Sequence, residues 1–290
     1  MKIKNLEELK EAIITSRREG KKQELAYFIE EILGSPFLLS EAEGNAFKAL
    51  ELGEYLLKVE DYVDMSSTIW GELKVEQQIE IATSYQRWYA QQMNNTVEKT
   101  IDGITLRLIP PGKYLYQEKA VVIKKAFWCG KYPVTQQQWK SVMKSNPSHF
   151  KGKNRPVEQV HWEECSKRFC DKTGFQLLSD VQWEYACRAG TTTHFCFGNE
   201  EEKVGDYAWY YENSEWKTHP VGEKKGNSFG LYDMHGNVME YCEDLVDTSY
   251  PILRGGCFNR DEGACRSSLR LKSTGEPSSS VGFRVSRSFP

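Results

Sequence analysis

Near Asn94-Asn95 the hydrophobic period of this chain switches from that of a helix to that of a strand, so no single regular architecture holds both parts. Before the switch, Leu25, Phe28, Ile29, Ile32 and Leu33 recur at i, i+3, i+4, i+7 and i+8, with charged residues on the opposite face. Gly34-Ser35-Pro36 ends that helix, and Ser40 with Glu43 forms a capping box opening a second through Ala46, Phe47, Leu50 and Leu57. A third is expected from near Leu73, with Val75, Ile79, Ala82, Tyr89 and Met93 on its core face. Residues 1–97 therefore read as a small helical bundle whose apolar stripes are packing surfaces. After the switch, Ile101 to Ile109 alternates apolar and polar residues, and Pro110-Pro111-Gly112 turns the chain into Lys113–Tyr116 as a hairpin-like start. Glycine and aromatic content rises from there and regular elements shorten. That texture suits a second domain, residues 98–290, held by irregular loops packed on a few strands and two helices.

The 39% apolar content and net charge of −3 fit a globular chain with room for two modest domains. No apolar run approaches the ~20 residues of a membrane-spanning helix, and MKIKNLEELK lacks the apolar stretch of a signal peptide. The expected location is cytoplasmic, with surface display the alternative if a leader was removed. Without a long basic cluster there is no electrostatic footprint for nucleic acid. All eight cysteines follow residue 128 and none forms a CxxC pair, so they are expected to be small buried thiols. The five histidines show no HxxxH or HxH spacing, and no zinc site is legible.

The second part carries a series of motifs. Lys131-Tyr132-Pro133-Val134-Thr135 precedes Gln138-Trp139, with Thr135 placed to cap a helix. Arg155-Pro156-Val157 leads to His161-Trp162, and Leu177-Leu178-Ser179-Asp180-Val181-Gln182-Trp183-Glu184-Tyr185-Ala186-Cys187-Arg188-Ala189-Gly190 follows. Thr218-His219-Pro220-Val221-Gly222 and Asn227 to Glu240 come next. Leu253-Arg254-Gly255-Gly256 and Gly282-Phe283-Arg284 read as strands flanking a long excursion. Taken in order, these segments resemble the formylglycine-generating-enzyme family, of sulfatase-modifying-factor type. The resemblance implies an α+β, C-type-lectin-like domain with little regular secondary structure, and leaves the helical bundle outside it. Most of the motif residues are expected to be scaffold.

The same resemblance implies two metal questions. A structural calcium in these enzymes is held by two side chains and two carbonyls at positions matching Asp233, Gly236, Val238 and Glu240, all compatible with calcium. The alternative is that Asp233 and Glu240 bond to the backbone without metal. A second family calcium site needs an asparagine where this chain has Tyr207, so one structural calcium is the most expected. Formylglycine formation needs two cysteines five positions apart that bind copper(I), and the matching positions are Arg260 and Cys265. A guanidinium neither ligates copper nor deprotonates, so no copper is expected. Cys257 lies eight residues from Cys265 and is a poor substitute. A relative branch, the iron-dependent sulfoxide synthases, carries a histidine iron triad in its helical bundle, yet residues 1–148 contain no histidine.

What the resemblance leaves is binding. Variable proteins of diversity-generating retroelements use the same fold to display a hypervariable segment between boundaries matching Leu253–Gly256 and Gly282–Arg284. Residues 257–280 here offer Phe258, Asn259, Arg260, Asp261, Gly263, Leu269, Leu271, Lys272, Ser278, Ser279 and Ser280, a mixture suited to an adaptable binding surface for a protein or other macromolecular ligand. The expectation is a non-catalytic ligand-binding protein. The alternatives are a formylglycine-generating oxidoreductase acting on a protein cysteine, or an interaction module that uses the helical bundle.

Overall fold

The computed structural model describes residues 63–66, 70–71, 73–247 and 249–290. The helices expected over 25–33 and 40–57 lie outside the described residues. The third expected helix is present as α1 (Val75–Gln92), but its buried face is not the expected stripe. Val75, Ile79 and Tyr89 are half-buried and Met93 is exposed, while Gln78, Ala82, Tyr85, Gln86 and Ala90 face inward. The two glutamines are inside because they satisfy backbone carbonyls that would otherwise be buried without a donor. Gln78 donates to Trp70, and Gln86 to Leu108 and Phe229. Ala82 and Tyr85 share a core with Ile109, Phe127 and Trp183, so α1 is packed on elements from both sides of the switch near residue 97.

Asp102 and Gly103, with φ of 50° and 75°, make the tight turn between β2 (Glu98–Ile101) and β3 (Ile104–Ile109). An Asp-Gly pair fits because both positions need the left-handed region. Pro110-Pro111 does not close a hairpin as expected. It carries the chain out of one sheet and into another, where β4 (Gly112–Tyr116) pairs with β5 (Lys119–Ile123) and, in parallel, with β1 (Val63–Asp64). Proline supplies no N–H for a ladder, so this switch between sheets leaves no donor unpaired.

β3 belongs to a five-stranded sheet ordered β2-β3-β6-β12-β7, formed with β6 (Phe127–Gly130), β7 (Gln176–Leu177) and β12 (Val285–Ser288). The remaining sheet is four-stranded, ordered β10-β9-β8-β11, from β8 (Met239–Val246), β9 (Tyr250–Arg254), β10 (Leu271–Lys272) and β11 (Val281–Phe283). The C-terminal strand β12 thus lies inside a sheet begun by β2 and β3. Two helices open on capping boxes. Thr135 caps α2 (Gln136–Met143) by accepting from Gln138, and Ser179 does the same for Gln182 two segments later. Between them a turn of π pitch over Glu164–Phe169 runs into α3 (Cys170–Thr173). α4 (Asp180–Arg188) follows β7, and α5 (Val204–Tyr207) is a single turn. Trp139 stacks parallel on Phe169 at 5.6 Å and meets Phe283 edge-on at 5.8 Å, tying α2 to β11 in the larger core. All eight cysteines are buried free thiols, as their distribution suggested. Among the described residues no helix is long and apolar enough to cross a membrane.

Candidate ligand-binding face

Both ends of the 257–280 excursion are fixed by a fully buried arginine. Arg254, the last residue of β9, bonds to Asp180 and Glu184 of α4 and reaches the carbonyls of Ser267 and Leu269 at 3.3 and 3.0 Å. Asp180 also takes Arg270 and the Tyr116 hydroxyl, each at 2.6 Å. Burial alone would raise the Asp180 carboxyl, but the adjacent Arg254 charge and the hydrogen bonds of Tyr116, Arg270 and Arg254 hold it below the usual carboxylate range. Gly255 and Gly256 then turn at φ of 94° and 69°, and a side chain on Gly256 would meet the Ala264 carbonyl at 2.7 Å and Cys265 Sγ at 2.8 Å. Only glycine combines that backbone with that clearance. At the far end Arg284 donates to Glu240 Oε1 at 2.9 Å and Oε2 at 3.0 Å, and to the carbonyls of Gly130 and Tyr232.

Within the excursion the expected display residues separate into three groups. Asn259, Arg260, Asp261 and Gly263 sit together beside residues 210–216, and Arg260 and Asp261 are exposed. The backbone of Arg260 is held at both ends, its N–H on Cys257 and its carbonyl accepting from Tyr211 at 2.9 Å. Asp261 caps the short turn Glu262–Cys265. Phe258 is not displayed: it is buried edge-on to Phe150 at 5.3 Å, because its backbone bonds Asn237 and Ser214 from within. The second group is Leu269, Leu271 and Lys272. Leu269 is half-buried, Leu271 packs against the larger core from β10, and Lys272 is exposed and paired with Asp247 at 2.9 Å. Ser278, Ser279 and Ser280 form the third. Their backbone anchors Gln159 and Met239, so Ser278 and Ser279 are half-buried and Ser280 is buried.

Burial pushes Cys257 up to about 11 and Cys265 well above its ordinary value, so both are protonated at neutral pH. The exposed Arg260 adds no ligand to Cys265.

At the four positions considered for calcium, both carboxylates already have partners within the protein. Calcium takes only oxygen ligands, about six to eight of them. Both Glu240 oxygens are committed to Arg284, and Oε2 also accepts the Trp183 indole N–H at 2.7 Å. The guanidinium is already the cation at that carboxylate. The Asp233 oxygens accept from Gly222 at 2.8 Å and Asn237 at 3.3 Å. Gly236 and Val238 offer carbonyls alone. Tyr207, at the second position, stacks on Phe197 at 4.2 Å. Millimolar calcium is expected to leave the melting temperature unchanged, and a rise of several degrees would show an ion displacing Arg284 from Glu240.

One element of this face was not singled out from the sequence. In the loop Trp209-Tyr210-Tyr211-Glu212-Asn213-Ser214-Glu215-Trp216, Tyr211 and Trp216 are 50% and 60% exposed and meet edge-on at 4.9 Å, 74° apart. Glu215 and Trp216 both have left-handed backbones, at φ 52° and 58°. Such a conformation costs roughly 1–2 kcal/mol for each residue that is not glycine. Ser214 holds it in place, donating to the Phe258 carbonyl at 2.6 Å and accepting from the Trp216 N–H, while its own carbonyl meets His219 at 2.8 Å. The dense run of aromatics in this loop was the available sequence signal. Elsewhere, a cavity of about 350 Å³ is lined by Tyr114, Glu184, Tyr185, Arg188, Thr192 and Ser268, but Glu184 and Arg188 are already paired with each other at 2.8 Å.

Comparison with known proteins agrees with this geometry. The chaperone protein LppX of Paenibacillus barcinonensis is 29% identical over 224 residues, covering 56% of this chain and 80% of that protein. The formylglycine-generating enzyme of Mycobacterium tuberculosis is 32% identical over 133 residues, covering 42% of each chain, so less than half of that enzyme's length is matched. Among solved structures, Treponema denticola variable protein 1 superposes with a TM-score of 0.59 at 25% identity, over 67% of this chain and all of that one. PvdO from Pseudomonas aeruginosa, at 0.57 and 23% over 66% of this chain and 96% of that one, shares the fold. The expected α+β, C-type-lectin-like architecture is therefore that of this protein. The sulfatase-modifying factor enzyme 1-like domain model matches residues 90–289, and the chain belongs to that family.

Proposed function

We propose that this protein is a non-catalytic ligand-binding protein that displays part of residues 257–280 on its C-type-lectin-like scaffold. The observation that carries the reading is Arg260. It stands where formylglycine chemistry would need a cysteine, its backbone is held at both ends, and its side chain is exposed. A fixed backbone under free side chains is what a surface needs if its side chains are to vary without loss of the fold. Asn259, Arg260, Asp261 and Gly263, with Leu269 and Lys272, are the contact set, whereas Phe258 and Ser280 serve the interior. The likeness to a Treponema denticola variable protein supports diversification of this segment. A near copy of the 253–284 coding segment differing only at adenines, beside a reverse transcriptase gene, is the observation that tests it.

The enzymatic alternative is tested in solution. Titration with copper(I), and incubation with a peptide carrying a sulfatase cysteine motif, are expected to give neither tight metal binding nor formylglycine. Product formation would overturn the proposal. A chaperone role is the second reading, favoured by the likeness to LppX over most of that protein's length. It would use the same exposed surface.

A further inference from the structure

We infer that the corner formed by Tyr211 and Trp216 receives a lysine or arginine side chain of a partner protein, as the fixed anchor beside the displayed segment. The inference rests on the ligand-binding reading and names the chemistry of the ligand. The two rings meet edge to face, and at 50% and 60% exposure they leave ring face open to a cation; among the described residues both belong to the small set of large apolar side chains that stay exposed. Other aromatics of this loop are already occupied. Trp209 stacks on His219 at 3.8 Å and carries Lys224 at 4.1 Å, while the Tyr210 hydroxyl is bonded to Glu212 at 2.8 Å.

Two carboxylates near the corner point the same way, set against the exposed Arg260 cation that also borders it. Glu212 and Glu262 both bear on Tyr210, and the turn that holds Glu262 joins Glu201 through Arg266. Lys217, Lys203 and Arg266 are paired with Glu215, Glu200 and Glu201 at 2.5, 3.9 and 2.9 Å. Among the described residues Glu212 and Glu262 have no basic partner, so an incoming cation meets two uncompensated carboxylates beside Tyr210. Arg260, joined to the loop through the Tyr211 N–H, borders the corner on the displayed segment. The Ser214 clamp holds the corner in shape before the partner arrives, so little ordering is needed on binding.

Selection of a random peptide library on the immobilised full chain tests this. Enriched peptides are expected to carry lysine or arginine, to quench the emission of the exposed Trp216, and to bind more weakly as salt is raised. Trp216→Ala and Tyr211→Leu are each expected to weaken the enriched peptides about tenfold, whereas Trp216→Phe keeps most of the affinity. Tyr211→Leu preserves apolar bulk, so its effect separates attraction to a π face from simple burial. Enriched peptides that are acidic or uncharged, or that bind the Trp216→Ala protein unchanged, overturn the cation assignment and leave the ligand-binding reading standing. Failure of the folded chain to enrich any peptide overturns both.

Discussion

Replacing Arg284 with methionine is expected to destabilise the fold by about 3–5 kcal/mol, the usual loss when one partner of a buried ion pair is removed. Arg284 and Glu240 are both fully shielded from solvent, and the guanidinium spends its donors on Glu240 and on two carbonyls from the β6 end and the Tyr232 turn. Its loss would leave the Glu240 carboxylate uncompensated and two carbonyls without donors. The second substitution Glu240→Gln removes the stranded charge while keeping an oxygen for the Trp183 indole, so the double variant is expected to recover part of the loss. Urea unfolding of the three variants measures this. If Arg284→Met unfolds within about 1 kcal/mol of the parent, the size of an ordinary surface change, the pair does not anchor the fold.

Stability is also expected to fall by about 2–3 kcal/mol as pH rises from about 4 to about 6, through Asp233 alone. Burial pushes this carboxyl up to about 6 from an ordinary value near 3.8, against the opposing pull of Gly222, Arg284 and Asn237. The folded state therefore holds a proton that the unfolded state has released, and each step upward in pH within that window favours unfolding. Below the unfolded value both states are protonated and the effect is absent; above the folded value the whole loss is present. Other groups titrate nearby, so the quantity to measure is the difference between the parent and Asp233→Asn. Asparagine tolerates the left-handed backbone at this position, φ 57°, and carries no charge to desolvate. The variant is expected to gain on the parent with rising pH and level off above pH 6. A constant difference across the range would mean that Asp233 ionises in the fold at its ordinary value.

The groups behind these two expectations were visible in the sequence as residue types, but their relation was not. Thr135 was readable as a cap because a cap is decided within four residues, and the structure has it bonded to Gln138. Leu253–Gly256 and Gly282–Arg284 were readable as strand ends because a double glycine and a Gly-Phe-Arg run punctuate the chain locally. The stripe Val75, Ile79, Ala82, Tyr89 and Met93 leaves out Gln78 and Gln86, since periodicity counts glutamine as polar and cannot see the carbonyls of Trp70, Leu108 and Phe229 that draw these two inward. Phe258 was placed on the surface for the converse reason. The residues that follow it, Asn259, Arg260 and Asp261, are polar, and the ring it packs against, Phe150, lies more than a hundred residues earlier. Tyr211 and Trp216 went unremarked because an aromatic-rich loop is ordinarily buried, and exposure is a property of the assembled surface.

The sequence by itself determined the family, the α+β class, the isolation of the thiols and the residue at position 260 that removes the expected copper ligand. Each of these is a matter of residue type, order or local spacing. The tertiary structure alone decided which carboxylate meets which arginine, that Glu240 is paired with Arg284, and that residues 257–280 are divided among three supports. It also set two aromatics from a separate loop beside Arg260. The physical reason is range: caps, turns and periods are fixed over a few residues, whereas charge pairing and exposure depend on groups brought within a few ångströms from positions far apart in the chain.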